Sequence, residues 1–508
     1  MNKFLRITAI GSIFLIPFIP FIVSSSLFFP FITGKNFIFR ILTEVSLASW
    51  IMLALRDAAY RPRKSAILWA FVAFVAIIGI ADISGVNAWK SFWSNFERME
   101  GYVTLLHLLG MFIVAGTMLS TERLWERFLQ TSLGASVVAS LFAVFQLAGV
   151  FTINQGGVRV DATFGNATYL AIYLVFNIFF ALIFFARSRG WGARAGYAAI
   201  VILHSAILYH TATRGAILGL LGGLLLSALL IAIFDKKERV MRTTAWSVIG
   251  AIAVIAIGFT LAKDTDFVRS SPVMSRFINL SLNETGSQAR AYVWPMAIEG
   301  WKERPILGWG QENFNYVFNK DYDPRMYHHE QWFDRTHNAF LDWLVQGGIL
   351  GLLAYLSLFV SAVYLLWRKC PDASFTEKAL LTGLGAAYLF HNLFVFDNIT
   401  SYTLFVSILA YVHFRSARLS KPAALDKDEV DDGDTRMIGA FVLVLLVASL
   451  YFFNYRGYAT SQSLLDAMRS STVSPIRIPD AIASFEKALS YDTLGRPEVV
   501  ERMIETVP

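Results

Sequence analysis

Four side chains carry the first chemical reading of this 508-residue chain. Arg98 lies in SFWSNFERMEG at 91–101, flanked by Glu97 and Glu100; Arg214 lies in TATRGAILGL at 211–220. Arg290 lies in GSQARAYVWPMAIEGW at 286–301, and His337 in DRTHNAFLDWL at 334–344. A guanidinium holds two phosphate oxygens in its planar fork, and an imidazole that stays neutral near pH 7 can accept a proton. Arg214 and His337 each stand at the start of an apolar run. Helices beginning there would present unpaired N–H groups and partial positive charge, which attract phosphate and lower an imidazole pKa. Together the four point to a diphosphate held at a membrane surface. Each also has a plain reading: Arg214 snorkelling to an interface, Arg98 in a salt bridge, Arg290 as a surface charge, His337 as a cap.

The elements that must position them are membrane helices. The chain is 56% apolar and only 16% charged, against about 25% charged in soluble proteins. Apolar runs of about 17 to 25 residues recur, each long enough to cross about 30 Å of hydrocarbon. The spacing predicts thirteen spans, at about 5–23, 36–56, 65–81, 102–119, 126–150, 164–186, 195–210, 213–234, 244–262, 338–366, 377–396, 399–414 and 437–453. The expected fold class is therefore all-α: a polytopic transmembrane helical bundle with a long extracytoplasmic loop domain. With the N-terminus in the cytoplasm, cytoplasmic segments hold 23 of the 44 Lys and Arg residues, which is the positive-inside pattern. The net charge of +7 thus reads as topology, and no nucleic-acid partner is expected. The single cysteine, Cys370, excludes an intrachain disulfide scaffold.

The expected organisation is spans one to nine over 1–262, a loop domain over 263–337, spans ten to twelve over 338–414, a linker over 415–436, span thirteen over 437–453 and a tail over 454–508. The loop domain holds Pro272, Pro295 and Pro305 as breakers and a short helix near 288–302. The linker contains KPAALDKDEVDDGD, too poor in apolar residues to pack. In the tail, AIASFEKALSYDTL at 481–494 resembles the second helix of a tetratricopeptide repeat, with Ala481, Phe485, Ala488 and Leu489 on one face. That face is expected to dock on the loop domain or on a continuation of the chain.

No metal is expected. His328, His329, Glu330 and His337 fit no zinc spacing, and the DTD at 264–266 and DYD at 321–323 lie on the side where sugar nucleotides are not supplied. Within the spans, Glu44, His107, His204 and the pair His391 and Asn392 are expected to hydrogen-bond between helices, since an unpaired charge there costs about 2.5–3.5 kcal/mol.

Taken in order, SFWSNFERMEG, TFGNATYLAIYL at 163–174, TATRGAILGL, the Arg290 segment ending in PILGWGQENF, and THNAFLDWLVQGGILGLLAYL at 336–356 resemble the O-antigen ligase and polymerase superfamily of bacterial envelope glycan assembly. The likeness runs from about residue 85 to 400. It implies transfer of a glycan from undecaprenyl diphosphate to an acceptor on the extracytoplasmic face of the bacterial inner membrane, with no metal or other cofactor. The acceptor would be lipid A-core, another envelope lipid or a protein. By the same resemblance, Arg214 and Arg290 bind the diphosphate, Arg98 contacts phosphate, and His337 deprotonates or orients the acceptor. A single in-line displacement from an alpha-linked donor implies inversion. Polymerisation of lipid-linked repeat units, protein O-glycosylation and, from another class, transport of the lipid-linked glycan are the competing readings. Span thirteen and the helix after it lie beyond the family's usual core.

Overall fold

A computed structural model describes residues 2–278, 285–328, 331–417, 432–472 and 478–506. His329, Glu330 and most of the acidic linker expected over 415–436 lie outside the described residues. Among the described residues the chain is all helix and turn, and ten helices are long and apolar enough to cross a membrane. The protein is an integral multi-pass membrane protein.

The ten account for all but three of the thirteen expected spans. Tyr102–Met118 is apolar but only 17 residues long. Phe375–Asn392 and Ile399–Ala417 are helices of the bundle that fall short on apolarity, because both carry polar side chains inward. Thr376, Glu377, His391 and Asn392 are buried on the first, and Thr400, Ser401, Thr403, Ser407 and His413 on the second. A span that faces protein on all sides can hold such groups; one that faces lipid cannot.

Interhelical hydrogen bonds satisfy most of the polar groups singled out inside the spans. His107 Nε2 lies 3.0 Å from Glu44, and Asn454 donates to both oxygens of that carboxylate at 2.9 and 3.0 Å. The His204 ring nitrogens meet Ser136 at 2.7 Å and Ser140 at 3.0 Å. Asn392 donates to Tyr355 and Asp397. His391 departs from the expectation: its Nδ1 is buried and has no hydrogen-bond partner among the described residues.

One helix is broken where the sequence reads VQGGILG. Ala339–Arg368 leaves helical geometry at Gly348, with φ of +62°. The backbone groups that this break strands are taken up by the segment 305–310. Trp309 and Gly310 donate their N–H groups to the carbonyls of Val345 and Gln346 at 2.8 and 2.9 Å, while Ile349 donates to Pro305 at 2.8 Å. Gly308, with φ of +69°, lies so close that a Cβ there would stand 2.3 Å from the Val345 carbonyl oxygen. The motifs PILGWG and VQGGILG are therefore two halves of one joint, each needing glycine for conformation and for room.

The expected helix near 288–302 is present as Thr285–Glu303. Its Ala289, Val293, Met296 and Ala297 pack against Trp309, Phe314, Val317 and Phe318, a small core of the 263–337 region that reaches Val345 of the broken helix.

The last span and the tail differ from expectation. Asp432–Ser449 continues through a π-helical segment, Leu450–Tyr455, into Arg456–Thr472, so no loop separates span thirteen from the tail. The helix Met437–Ser471 is 35 residues, about 50 Å, and outruns the hydrocarbon core. Ala481, Phe485 and Ala488 are buried as expected, with Leu489 partly covered. Their partners are not the 263–337 region but Leu27, Phe37, Trp93, Phe96 and Met99, together with Leu464 of the preceding helix. Phe96 is fully enclosed, and its backbone N–H donates to both carboxylate oxygens of Glu498 at 3.0 and 3.1 Å.

Candidate functional site

Arg214, Arg290 and His337 line one cavity of about 500 Å³. Arg159 and Arg276, which the sequence reading missed, line it as well, with Asn166, Thr168, Tyr169, Thr213, Gly215, His391 and the turn Phe394–Val395–Phe396. Four guanidinium groups, with no carboxylate among the described residues of the lining, make this an anion site by composition. Burial lowers the pKa of Arg159 to about 10, helped by the charges of Arg276 and Arg214. Burial and Arg214 lower that of Arg290 in the same way. Cations that raise one another's energy in the empty site are relieved when a multiply charged anion enters.

The helix Arg214–Phe234 opens on this cavity. Its N-cap residue, Thr213, makes no capping hydrogen bond, because its hydroxyl donates to the Thr211 carbonyl and accepts from Arg159. The start of this helix, which Thr213 does not cap, therefore faces the cavity with its partial positive charge. Arg159 is fixed by three neutral acceptors, the Thr211 carbonyl at 2.9 Å and the hydroxyls of Thr168 and Thr213. The loop that carries it is tied down by Asp161, which is fully buried and accepts from Gln146 and Gln155 at 2.8 Å. Arg214 donates to the backbone carbonyl of Arg276 at 3.0 Å. Arg290 keeps a buried Nε with no partner among the described residues.

The second helix start expected to attract phosphate is already capped. The Asn338 side chain accepts from the N–H groups of Phe340 and Leu341 at 3.0 and 3.2 Å, so the start of Ala339–Arg368 has little left to offer an anion. What that segment supplies instead is a rigid mount for His337. Asp334 takes a bidentate pair from Arg98, at 2.9 Å for both bonds. Arg335 reaches Glu100 at 2.7 Å and Glu312 at 2.5 Å. Thr336 bonds Asp342 through both its N–H and its hydroxyl at 2.8 Å, and its carbonyl accepts from Trp294 of the Arg290 helix. Between these anchors His337 is held at φ of +54°, with its ring between the edges of Phe333 and Phe396 at 5.2 and 5.1 Å.

Burial first, then the charges of Arg290 and Arg98, hold the His337 pKa down to about 4 despite the opposing Asp334. The imidazole is neutral at pH 7, as expected from its place at a helix start, but burial is the main cause. Nδ1 makes a long contact of 3.4 Å with the Arg335 carbonyl, which favours the proton there and leaves Nε2 as the basic nitrogen.

Arg98 does not line this cavity. Its guanidinium is bound to Asp334 and Glu97 and lies 4.7 Å over the ring of Phe396, on the far side of the wall that this ring forms. Burial pushes the Asp334 carboxyl up, and Arg98 more than offsets this, leaving it at about 2. The structure therefore brings together three of the four expected residues and places the fourth behind His337 as a support.

Arg335 with Glu100 and Glu312 is a buried triad with one cation for two acids. Burial, with Glu312 beside it, pushes the Glu100 carboxyl well above its ordinary range, Arg335 offsetting only part. Arg335→Met strands both carboxylates and is expected to destabilise the fold by about 3–5 kcal/mol. Thermal unfolding in detergent measures this, and an unchanged midpoint would show that the triad is not holding the segment.

The fold and the cavity define a multi-pass membrane protein with a buried, arginine-lined anion site beside a neutral imidazole. Residues 198–356 match the family model described as O-Antigen ligase, which bears out the resemblance drawn from the motifs. The chain is 24% identical over 283 residues to an exopolysaccharide production protein, ExoQ, of Rhizobium meliloti, covering 52% of this chain and 61% of that one. It is also 24% identical over 227 residues to an uncharacterised protein of Haemophilus influenzae, covering 44% and 55%. The chain thus spans about three-fifths of the length of these relatives.

Proposed function

We propose that this protein is a membrane glycosyltransferase that moves a glycan from a polyprenyl diphosphate, undecaprenyl diphosphate by family resemblance, to an acceptor at the membrane surface. The observation that carries the reading is the convergence of Arg159, Arg214, Arg276 and Arg290, a helix start that Thr213 does not cap and neutral His337 on one cavity, with no acid among the described residues that line it. The donor diphosphate lies among the guanidinium groups and the first turn of the Arg214 helix. His337 Nε2 takes the proton from the acceptor hydroxyl as its oxygen attacks the anomeric carbon. The bond to the diphosphate breaks and its electron pair stays on the phosphate oxygen. Charge grows on that oxygen during the step, so preplaced cations stabilise the transition state more than the ground state. One displacement inverts the anomeric centre. Arg98 acts through Asp334 and Phe396 as a positioning residue. The site face is the extracytoplasmic face of the bacterial inner membrane, with the N-terminus on the cytoplasmic side.

The ExoQ relative's name favours a growing polysaccharide as acceptor, and so a polymerase of lipid-linked units, over lipid A-core or protein. Purified protein with an undecaprenyl-diphosphate glycan and excess EDTA is expected to release undecaprenyl diphosphate and extend the acceptor. Mass spectrometry of the product separates polymer, glycolipid and glycoprotein. No turnover with any of the three acceptors would sink the assignment, and glycan crossing the bilayer unaltered would move the protein to the transporters.

A further inference from the structure

We propose that His391 is a second imidazole of the site, donating a hydrogen bond from Nδ1 to the diphosphate as it leaves. The inference rests on the glycosyltransferase reading above and adds a donor-binding residue to it.

His391 is 3% exposed, yet it lines the cavity and its Nδ1 has no partner among the described residues. Three other histidines inside the bundle are satisfied. His204 meets two serine hydroxyls, His413 meets Ser65 at 2.7 Å, and His107 meets Glu44 and the Val103 carbonyl. Leaving a buried polar nitrogen unpaired is unfavourable, and native structures do so rarely, so one that lines a cavity calls for a partner from within it.

The position of the ring indicates which part of the ligand it meets. A Cβ built on Gly215 would stand 3.7 Å from His391 Nδ1, so the ring lies over the first turn of the helix that Thr213 does not cap. Glycine leaves nothing between them. The neighbouring turn is rigid, since Asn392 and Ser401 hold Asp397 at 3.1 and 2.8 Å and Tyr388 bonds the same carboxylate. His391 therefore meets the group bound at the helix start, while His337 enters the same cavity beside Phe396.

The step balances without a further reactant. The acceptor proton goes to His337, the glycosidic carbon–oxygen bond to the diphosphate breaks, and the leaving diphosphate gains one negative charge. His391 keeps its own proton and donates a hydrogen bond to that charge. Such a bond favours the released polyprenyl diphosphate over the glycosylated donor.

The test uses the full chain in detergent and undecaprenyl diphosphate as the probe. His391→Ala is expected to weaken its binding about tenfold to a hundredfold, the range for a hydrogen bond to a charged group. His391→Asn, whose amide N–H sits close to the place of Nδ1, is expected to stay within about threefold of the parent. In turnover, His391→Ala changes kcat and the KM for the donor but not the KM for the acceptor. Gly215→Ala offers an independent check: its methyl fits by ordinary contact, improves helix propensity and shields Nδ1, and is expected to weaken the probe while the fold holds. Parent protein that binds the probe while both His391→Ala and Gly215→Ala bind it equally well would overturn this inference alone. Equal losses in His391→Ala and His391→Asn, with the acceptor KM raised as much as the donor KM, would make His391 a structural residue and overturn it too. Failure of the parent itself to bind the probe would fall on the glycosyltransferase reading.

Discussion

His337→Ala is expected to lower kcat by about a hundredfold to ten-thousandfold, the usual range for a lost general base, with the thermal midpoint of the purified protein little changed. Asp334, Arg335, Thr336 and Asn338 are each bonded on their own account, so the segment keeps its course without the imidazole. The pH dependence gives the sharper signature. With a pKa of about 4 in the empty site, the base is fully available above about pH 5, and kcat/KM falls only as pH drops through 4. A bound diphosphate adds negative charge beside the ring and partly cancels Arg290. The acid limb of kcat, which reports the loaded enzyme, therefore lies at higher pH than that of kcat/KM. Coincident limbs, or an alanine variant that keeps parental turnover, would remove His337 from the chemistry.

Arg290→Ala is expected to cost about 2.7–4 kcal/mol in the transition state, or roughly a hundredfold to a thousandfold in kcat, as for loss of one preplaced donor elsewhere. Stability should move the other way or not at all. Burial and the Arg214 charge both disfavour this guanidinium, and its Nε has no partner among the described residues to leave behind. Turnover and thermal unfolding measured on the same preparation test the pair of statements. A large drop in the melting midpoint would make Arg290 a structural residue. Arg290→Lys keeps the charge but not the fork, so it should recover only part of the rate.

Much of this architecture is legible in the chain because a membrane imposes one rule on every span: enough apolar length to cross. Arg214 and His337 are legible by type, since a cation or an imidazole at the head of an apolar run has few reasons to be there, and Arg290 by the ordered motifs around it. Arg159 was not, because a lone arginine in a polar loop looks like any surface charge. Its signal was position, two residues before the buried Asp161 and just ahead of the TFGNATYL motif that was noticed. Arg276 stands in a helix of four residues, Ser275–Ile278, too short to show a pattern. The cap on the Ala339 helix was readable, as an asparagine directly before an apolar run is a strong N-cap signal. The failure of Thr213 to cap its own helix was not, since it depends on Arg159 arriving from 54 positions away. His391 was read as one more interhelical hydrogen bond, and only the absence of a partner in three dimensions sets it apart.

The joint between Gly308 and Gly348 also fixes a timetable. The stranded carbonyls of Val345 and Gln346 belong to a span synthesised after the segment that satisfies them, so that segment must be in place before the span can settle. Hydrocarbon offers those carbonyls nothing in the meantime. His337, eleven residues ahead of Gly348 and just before that helix begins, takes its seat only when this late step is done, so on the proposed mechanism a half-built chain carries no working base.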